Sequence, residues 1–364
     1  MTAPAAPPRV HMTGSEWFGA APGGLNRYFT DLFEALTPRP EIDVSAAAFG
    51  AAPPGGLSWG PVGGSTWHRA RAAFRDRRTA EPGRAAVLDR HFALYGPPAR
   101  DPRARHLVVH FHGPWAAESR AAGGSALAAG AKYALERLRA HPADRFVVLS
   151  TYFRDLLVHD YRVRPDAVTV IAPGVDLDRF RPTPLPEPTE PVVLCVRRLE
   201  HRMGIDVLLR AWPAVRAAHP AARLVLIGTG TAESALREQA RDLGTGITFT
   251  GRITDSELTA WYGRAAVTVV PSVALEGFGL IALESLAAGR APVVTECGGL
   301  PDSVRDLDPS LIVAPGDAGA LAARLAAALD GTVPGPDRCR AHAEIFSWAV
   351  AADRHIALYR ELTG

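Results

Sequence analysis

Short runs of apolar residues, many of them β-branched, alternate along the chain with longer stretches of mixed polarity. The runs "RVHMTG" (9–14), "HLVVHFHG" (106–113), "RFVVLS" (145–150), "AVTVIAPG" (167–174), "VVLCVRRL" (192–199), "RLVLIGTG" (223–230), "ITFTGRI" (247–253), "VTVVPS" (267–272) and "APVVTECGG" (291–299) lack a two-residue alternation. Such runs predict strands covered on both faces, as in parallel sheets. Stretches such as "LNRYFTDLFEAL", "GIDVLLRAWPAVRAAHP" and "TDSELTAWYGRAA" carry helical spacing instead. The last opens with Thr254 or Asp255 as a cap and Glu257 close behind, the pattern of a capping box. Strand and helix alternating this often predict an α/β fold with parallel sheets.

Three segments break the rhythm. "DRFRPTPLPEPTEP" (178–191) holds five prolines and no periodicity, and reads as a linker between two α/β domains. The expected division is 1–180, a linker at 181–191, and 192–345. The closing stretch "FSWAVAADRHIALYREL" is a helix with Trp348, Ala352, Ile356 and Tyr359 on one face. Two readings stand for it: a helix (346–364) packing back on the first domain, or a surface helix. The arginine-rich stretch 58–91 is weakly patterned. It reads either as a basic face toward an anionic membrane or acceptor, or as a solvated helix or mobile loop.

Composition narrows the class. An apolar share of 47% over 364 residues suits two globular domains with sizeable cores. A net charge of +2 gives no reason to expect a nucleic-acid partner. Cys195, Cys297 and Cys339 are widely separated, unlike a disulfide framework or zinc site, and fit a reducing compartment. The opening "MTAPAAPPRV" lacks the pattern of a signal peptide, and no apolar run is long enough to span a membrane. A cytoplasmic location is the expectation. Lys132 is the only lysine, arginine supplying every other cation, which is the bias of a GC-rich genome.

Ligands of open parallel sheets bind at the carboxyl ends of strands, so the loops there hold the candidate chemistry. Gly23 and Gly24, in "GSEWFGAAPGGLNRY", stand where backbone amides could approach a phosphate; paired glycines also mark plain turns. Arg197, Arg198 and Arg202 crowd the loop "VRRLEHRMG". The cluster suits an anion, or else one functional arginine with two solvated neighbours. His110 and His112 point to one side of their strand end, with no third metal ligand expected nearby. "EGFGLIALES" places Glu276 in a glycine-bounded turn and Glu284 two helical turns later. It reads as a helix start with an acidic first turn, or as a site for a polyhydroxylated ligand. The two "DLD" stretches, 176–178 and 306–308, read as loop or capping residues.

These loops, in this order, resemble the retaining glycosyltransferases of family 4. The resemblance rests on "PSVALEGFGLIALESLAAGRAPVVTECGGLPDSV" (271–304), supported by "PGGLNRY", "HFHG", "APGVDLDRF", "RRLEHRMGIDVLL", "FTGRITDSELTAWY" and "FSWAVAADR". It covers nearly the whole chain. It implies the GT-B fold: two facing Rossmann-like domains, an inter-domain cleft closing on the donor, and a nucleotide sugar as substrate rather than cofactor. Glu276 would accept from donor-sugar hydroxyls, with Gly277, Phe278, Gly279 and Leu280 shaping that pocket. Glu284 would hold the ribose, Arg198 the diphosphate, and Arg252 with Ile253 the base. His112 would touch the donor sugar, and Gly24, beside Gly23, would lie near the phosphates. The family usually carries lysine before the glycine at 204. Met203 stands there instead, so Arg202 is expected to supply the second charge.

The resemblance also implies metal-free, front-face transfer of a hexosyl or N-acetylhexosaminyl group to an acceptor held by the first domain, in roughly residues 50 to 105. UDP is the expected nucleotide, with GDP and dTDP behind it. The composition suggests a natural-product acceptor of aminocyclitol type, as in antibiotic biosynthesis; lipid-linked and polysaccharide acceptors, with peripheral membrane contact, stay open. A nucleotide-sugar epimerase and a non-catalytic sugar-binding protein are the competing readings.

Overall fold

The computed structural model describes residues 7–21, 23–76, 87–97, 106–113, 125–184, 190–244 and 246–364. The chain divides into two units, Met1–Gly174 with Trp348–Gly364, and Val175–Ser347.

The first unit begins with β1 (Arg9–Glu16), α1 (Gly24–Leu36), β2 (Asp43–Phe49), β3 (Gly56–Ser58) and α2 (Thr66–Phe74). It continues through β4 (Val87–Arg90), β5 (His106–Phe111), α3 (Ala126–Ala140), β6 (Arg145–Val148), α4 (Thr151–His159) and β7 (Val168–Val170). All seven described strands run parallel, in the order β3-β2-β1-β4-β5-β6-β7. The winding direction reverses between β1 and β4.

In the second unit, β8 (Val192–Val196), α5 (Ile205–Ala218), β9 (Arg223–Ile227), α6 (Glu233–Arg241), β10 (Ile247–Gly251) and α7 (Asp255–Arg264) are followed by β11 (Ala265–Val270), α8 (Leu280–Ala287), β12 (Pro292–Thr295), β13 (Ile312–Val313), α9 (Ala318–Leu329) and α10 (Pro336–Glu344). The parallel order β10-β9-β8-β11-β12-β13 reverses between β8 and β11. Counted within the unit this is 3-2-1-4-5-6, the Rossmann order. Its core joins Val193, Leu224, Leu226, Val267 and Val269 of the sheet to Leu208, Trp212 and Leu325 of α5 and α9.

The chain then returns to the first unit as α11 (Trp348–Thr363), whose Ala352, Ile356, Leu358 and Tyr359 enter a core with Val10, Met12, Phe29 and Leu32. Gly174 lies against the Trp348 ring, where an added Cβ would stand 2.3 Å from the indole.

The apolar runs named above lie on strands of the two sheets. The edge strands β7 and β10 are only half-buried, because each has one neighbour. The capping box at α7 forms with Thr254 as the cap. The reading of 58–91 as loop or solvated helix holds for α2, whose only buried residue is Ala73, and is corrected at β4, a fully buried strand between β1 and β5. β4 escapes a hydropathy reading because half of its four residues are Asp89, which accepts from the Tyr359 hydroxyl, and Arg90, which donates to the Pro97 and Arg139 carbonyls. Asp176 and Asp308 accept bonds from following backbone amides, so both "DLD" stretches are turn and cap residues. The linker expectation falls partly outside the described residues, at 185–189, and the acceptor stretch 50 to 105 does so at 77–86 and 98–105. Thr183 is part of the second unit, where its carbonyl accepts from Arg290.

Candidate active site

In the second unit the switch between β8 and β11 brings two loops together at the strands' carboxyl ends. The first, 197–204, is drawn against the second, 271–279, at Gly204. Its backbone is left-handed (φ 67°), and a Cβ there would stand 1.9 Å from the Pro271 carbonyl oxygen. Only glycine allows that approach. The amide of Val273 donates to the Arg202 carbonyl at 3.0 Å, and the Arg202 guanidinium donates to the Leu275 carbonyl at 2.9 Å. Leu275 is itself left-handed (φ 54°), a strained setting for a branched residue directly before Glu276.

Glu276 is locked from behind. Gly299 N–H donates to its carbonyl at 2.9 Å, and the left-handed Gly298 leaves no room for a Cβ, which would lie 2.1 Å from that same oxygen. Its carboxylate is held by the Arg197 guanidinium and by Ser272 Oγ–H at 3.1 Å. Both bonds fall on Oε2, so among the described residues Oε1 stays open to a ligand hydroxyl. Gly277 is half-buried. Phe278 is buried and packs its ring 5.6 Å from Phe346, Gly279 is buried ahead of α8, and Leu280 opens that helix half-buried.

Glu284 lies farther along α8, where the Tyr262 hydroxyl donates to Oε2 at 2.8 Å. Burial, and then the Glu284 carboxylate, push the Tyr262 phenol well above its usual range, so it stays a donor. Arg252 is exposed and Ile253 half-buried between β10 and α7. Of the three arginines after β8, Arg198 is exposed, Arg202 half-buried and Arg197 buried. Arg197 had no individual role in the sequence reading. Its place at the end of β8, which the structure gives and the sequence does not, separates it from its exposed neighbour Arg198.

The first unit's switch point holds a different chemistry. Gly23 and Gly24 are exposed at the start of α1, in a loop braced by Asn26, whose side-chain amide donates to the Ala21 carbonyl at 2.9 Å. Pro22 of the "PGGLNRY" stretch is outside the described residues. His110 and His112 do share a side, with ring centroids 5.7 Å apart, but the expectation of no further ligand beside them is corrected. His91, just past β4, stacks on His110 at 3.7 Å, and the three imidazoles offer nitrogen atoms within 4.8 Å of one another. β4 pairs with β5, which is why the sequence separation hid this neighbour.

The three rings lie within 19° to 26° of parallel. Asp89 lies beneath them, 3.0 Å from His110 Nε2, and accepts from the Tyr359 hydroxyl of α11. Burial pushes the Asp89 carboxyl up, but His110 and His91 outweigh it and hold it well below the usual range. Burial lowers His110 to about 4 and takes His112 well below its ordinary value. His112, half-buried, has the Tyr28 ring edge-on at 5.0 Å.

Two open parallel sheets, each carrying polar loops at its switch point, define the GT-B class of glycosyltransferase folds. Solved structures agree: sucrose-phosphate synthase from Thermosynechococcus elongatus has a TM-score of 0.73 at 23% identity, over 98% of this chain and 99% of that one. Anabaena Alr3699/HepE in complex with UDP and glucose also has a TM-score of 0.73, at 17% identity over 97% and 99%. Residues 22–179 match the family model described as Glycosyltransferase Family 4, and residues 190–331 the model described as Glycosyl transferases group 1. The D-inositol 3-phosphate glycosyltransferase of Rhodococcus opacus is 33% identical over 318 residues, 80% of this chain and 70% of that protein. The GDP-mannose-dependent alpha-(1-6)-phosphatidylinositol monomannoside mannosyltransferase of Mycolicibacterium smegmatis is 34% identical over 248 residues, 64% of this chain. This chain spans 62% of that protein's length. The chain belongs to glycosyltransferase family 4.

Proposed function

We propose that the protein transfers a hexosyl or N-acetylhexosaminyl group from a nucleotide sugar to a hydroxyl of a cyclitol-type acceptor, with retention and without an essential metal. One observation carries the reading: at the second unit's switch point a carboxylate with one open oxygen, Glu276, shares a loop pair with three arginines. An epimerase would turn over the sugar nucleotide without an acceptor, and a binding protein would not explain Arg198 beside glycine loops.

Glu276 takes the donor-sugar hydroxyls and Glu284 the ribose. Arg198 takes the diphosphate, Arg252 and Ile253 the base, and Gly277 to Leu280 the pocket wall. The first unit takes the acceptor, and His112 the sugar contact that the resemblance implies. Nothing lies within 4 Å of a Cβ placed on Gly23 or Gly24, so the protein's own packing does not demand glycine there. The open space leaves the amides at the start of α1 accessible to a phosphate, the role the resemblance implies for Gly24 beside Gly23.

The anomeric carbon–phosphate bond breaks as the bond to the acceptor oxygen forms on the same face, and the leaving phosphate oxygen takes the acceptor's proton. Glu276 is not read as the nucleophile of a double displacement, because the resemblance gives it, like Glu284, to hydroxyls of the donor. The relatives' names shift two expectations. They name inositol phosphate and phosphatidylinositol species where a natural-product aminocyclitol was expected, and GDP-mannose as well as the UDP seen in structures.

A lipid-borne acceptor is the second reading. α2 exposes Trp67 (73%) and Phe74 (53%) on one helical face with Arg71 and Arg75, which suits an anionic lipid surface. Among the described residues no helix is long and apolar enough to cross a membrane.

The test is thermal stability with UDP, GDP and dTDP in EDTA, followed by product formation on inositol phosphate and on phosphatidylinositol vesicles. A rise of several degrees with one nucleotide, and product in EDTA, are expected. No shift with any nucleotide at millimolar concentration would overturn the transferase reading; dependence on added metal would overturn the metal-free part.

A further inference from the structure

We propose that Arg197 is the second cation of the donor site, aiming Glu276 and meeting the β-phosphate end of a nucleoside diphosphate, in the role the sequence reading gave to Arg202. The inference rests on the assignment of the donor to this loop pair.

Three observations carry it. First, Arg197 is 8% exposed at the end of β8, the strand at which the winding reverses, and it reaches the loop after β11. It therefore bridges the two sides of the position where ligands of such sheets bind. Second, one nitrogen serves Glu276, Ser272 and Met203 together, while its Nε–H is buried without a hydrogen-bond partner. A buried donor without a partner is costly, so the Arg197 guanidinium keeps hydrogen-bonding capacity that Glu276, Ser272 and Met203 do not use. Third, Arg202 is committed elsewhere: its guanidinium bonds the Leu275 carbonyl and so holds the strained residue before Glu276. Arg202 thus shapes the loop, whereas Arg197 faces the carboxylate.

The sulfur of Met203 lies 2.8 Å from the Arg197 guanidinium, so the tip of side chain 203 and the Arg197 charge share one place. A cation at position 203 would put its charge where Arg197 now puts it. Both together would crowd two like charges against one carboxylate. This gives a relocation test. Arg197 sits near Glu276, at the sugar end, while Glu284 and Tyr262 lie toward the ribose, so the loss should fall on diphosphates more than on monophosphates.

The experiment measures affinities of the full chain for UDP, UMP, GDP and GMP by titration calorimetry, with circular dichroism to check folding. For the nucleotide that binds, Arg197→Ala is expected to lose about 10- to 100-fold in diphosphate affinity, the size of one charge-assisted hydrogen bond, and to keep its monophosphate affinity. Arg202→Ala should lose less. Arg197→Ala/Met203→Lys should regain at least about tenfold over Arg197→Ala. Should Arg197→Ala fail to fold, Arg197→Lys and the double variant, each compared with the unmodified chain, carry the same test. Equal losses for mono- and diphosphate would make Arg197 merely structural and overturn the proposal, as would a double variant that stays weak or an Arg202→Ala loss as large as that of Arg197→Ala. Nucleotide binding kept by the unmodified chain in those cases leaves the donor assignment standing. No binding by the unmodified chain overturns both.

Discussion

Arg198 is exposed on the loop after β8, so its removal touches no core packing. Arg198→Ala should leave the melting temperature within a degree or two while cutting transfer by on the order of 100-fold, the usual cost of losing a charge-stabilising donor. Near-normal turnover would sink its diphosphate role. Glu284→Gln removes a carboxylate from beside the Tyr262 hydroxyl and from the assigned ribose contact. Nucleotide affinity should fall about tenfold, the worth of one charged hydrogen bond, and unchanged binding would sink the ribose assignment. At this scale the glycine-bounded turn before α8 was legible in sequence, and it does place Glu276 ahead of the helix and Glu284 within it. The sorting of Arg197, Arg198 and Arg202 was not. Three arginines within six positions look alike in sequence, and only the end of β8 decides which one turns inward. His91 was hidden for the same kind of reason, its partners His110 and His112 being brought to it by strand pairing.

α11 supplies Ala352, Ile356, Leu358 and Tyr359 to the first unit's core, and Tyr359 also covers the Asp89 carboxylate. Burial of a large apolar side chain is worth about 1.5–3 kcal/mol, so losing three of them consumes much of a domain's stability of about 5–15 kcal/mol. A chain ending at Ser347 should therefore show a first unit open to protease at 25 °C, with the second unit still protected and still shifted by nucleotide. A first unit as resistant as before would contradict that account. The face of this helix was readable from its spacing, but what it covers was not, since amphipathicity names no partner. β4 shows the opposite failure. Its Asp89 and Arg90 look like surface residues, yet Asp89 meets three side chains and Arg90 reaches two carbonyls inside the fold. Hydropathy patterning fails where polar groups are satisfied internally.

The two units have separate cores and should respond differently to acid. Burial lowers both His110 and His355 to about 4, against about 6.5 in the unfolded chain. Between those values the unfolded state binds the protons and the native state does not, so the stabilisation is complete above about pH 6.5 and is lost as pH falls toward 4. Each histidine alone accounts for on the order of 3 kcal/mol. Asp89, held well below its usual range, loses its contribution lower still. Calorimetry from pH 7.5 to 4.5 should show the first unit's transition dropping well ahead of the second's; parallel shifts would show that the histidine stack is not the cause. The α/β character and a division into two were legible because uninterrupted apolar runs have few other uses. The return of the chain to its first unit could only be framed as one of two readings, because it depends on a contact between residues more than 300 positions apart.

That return has a consequence for synthesis. Domains emerging from a ribosome fold in order of completion, and here Val175–Ser347 is complete before Trp348–Gly364 exists. The unit begun first is finished second: its sheet waits, with Asp89 uncovered on one side, until the polymerised chain has passed through the whole of the other unit. Translation thus produces a folded second unit joined to an unfinished first one. During that interval a chaperone would find its target in the amino-terminal strands, and the newly made protein would acquire its arginine-bearing half before its histidine-bearing half.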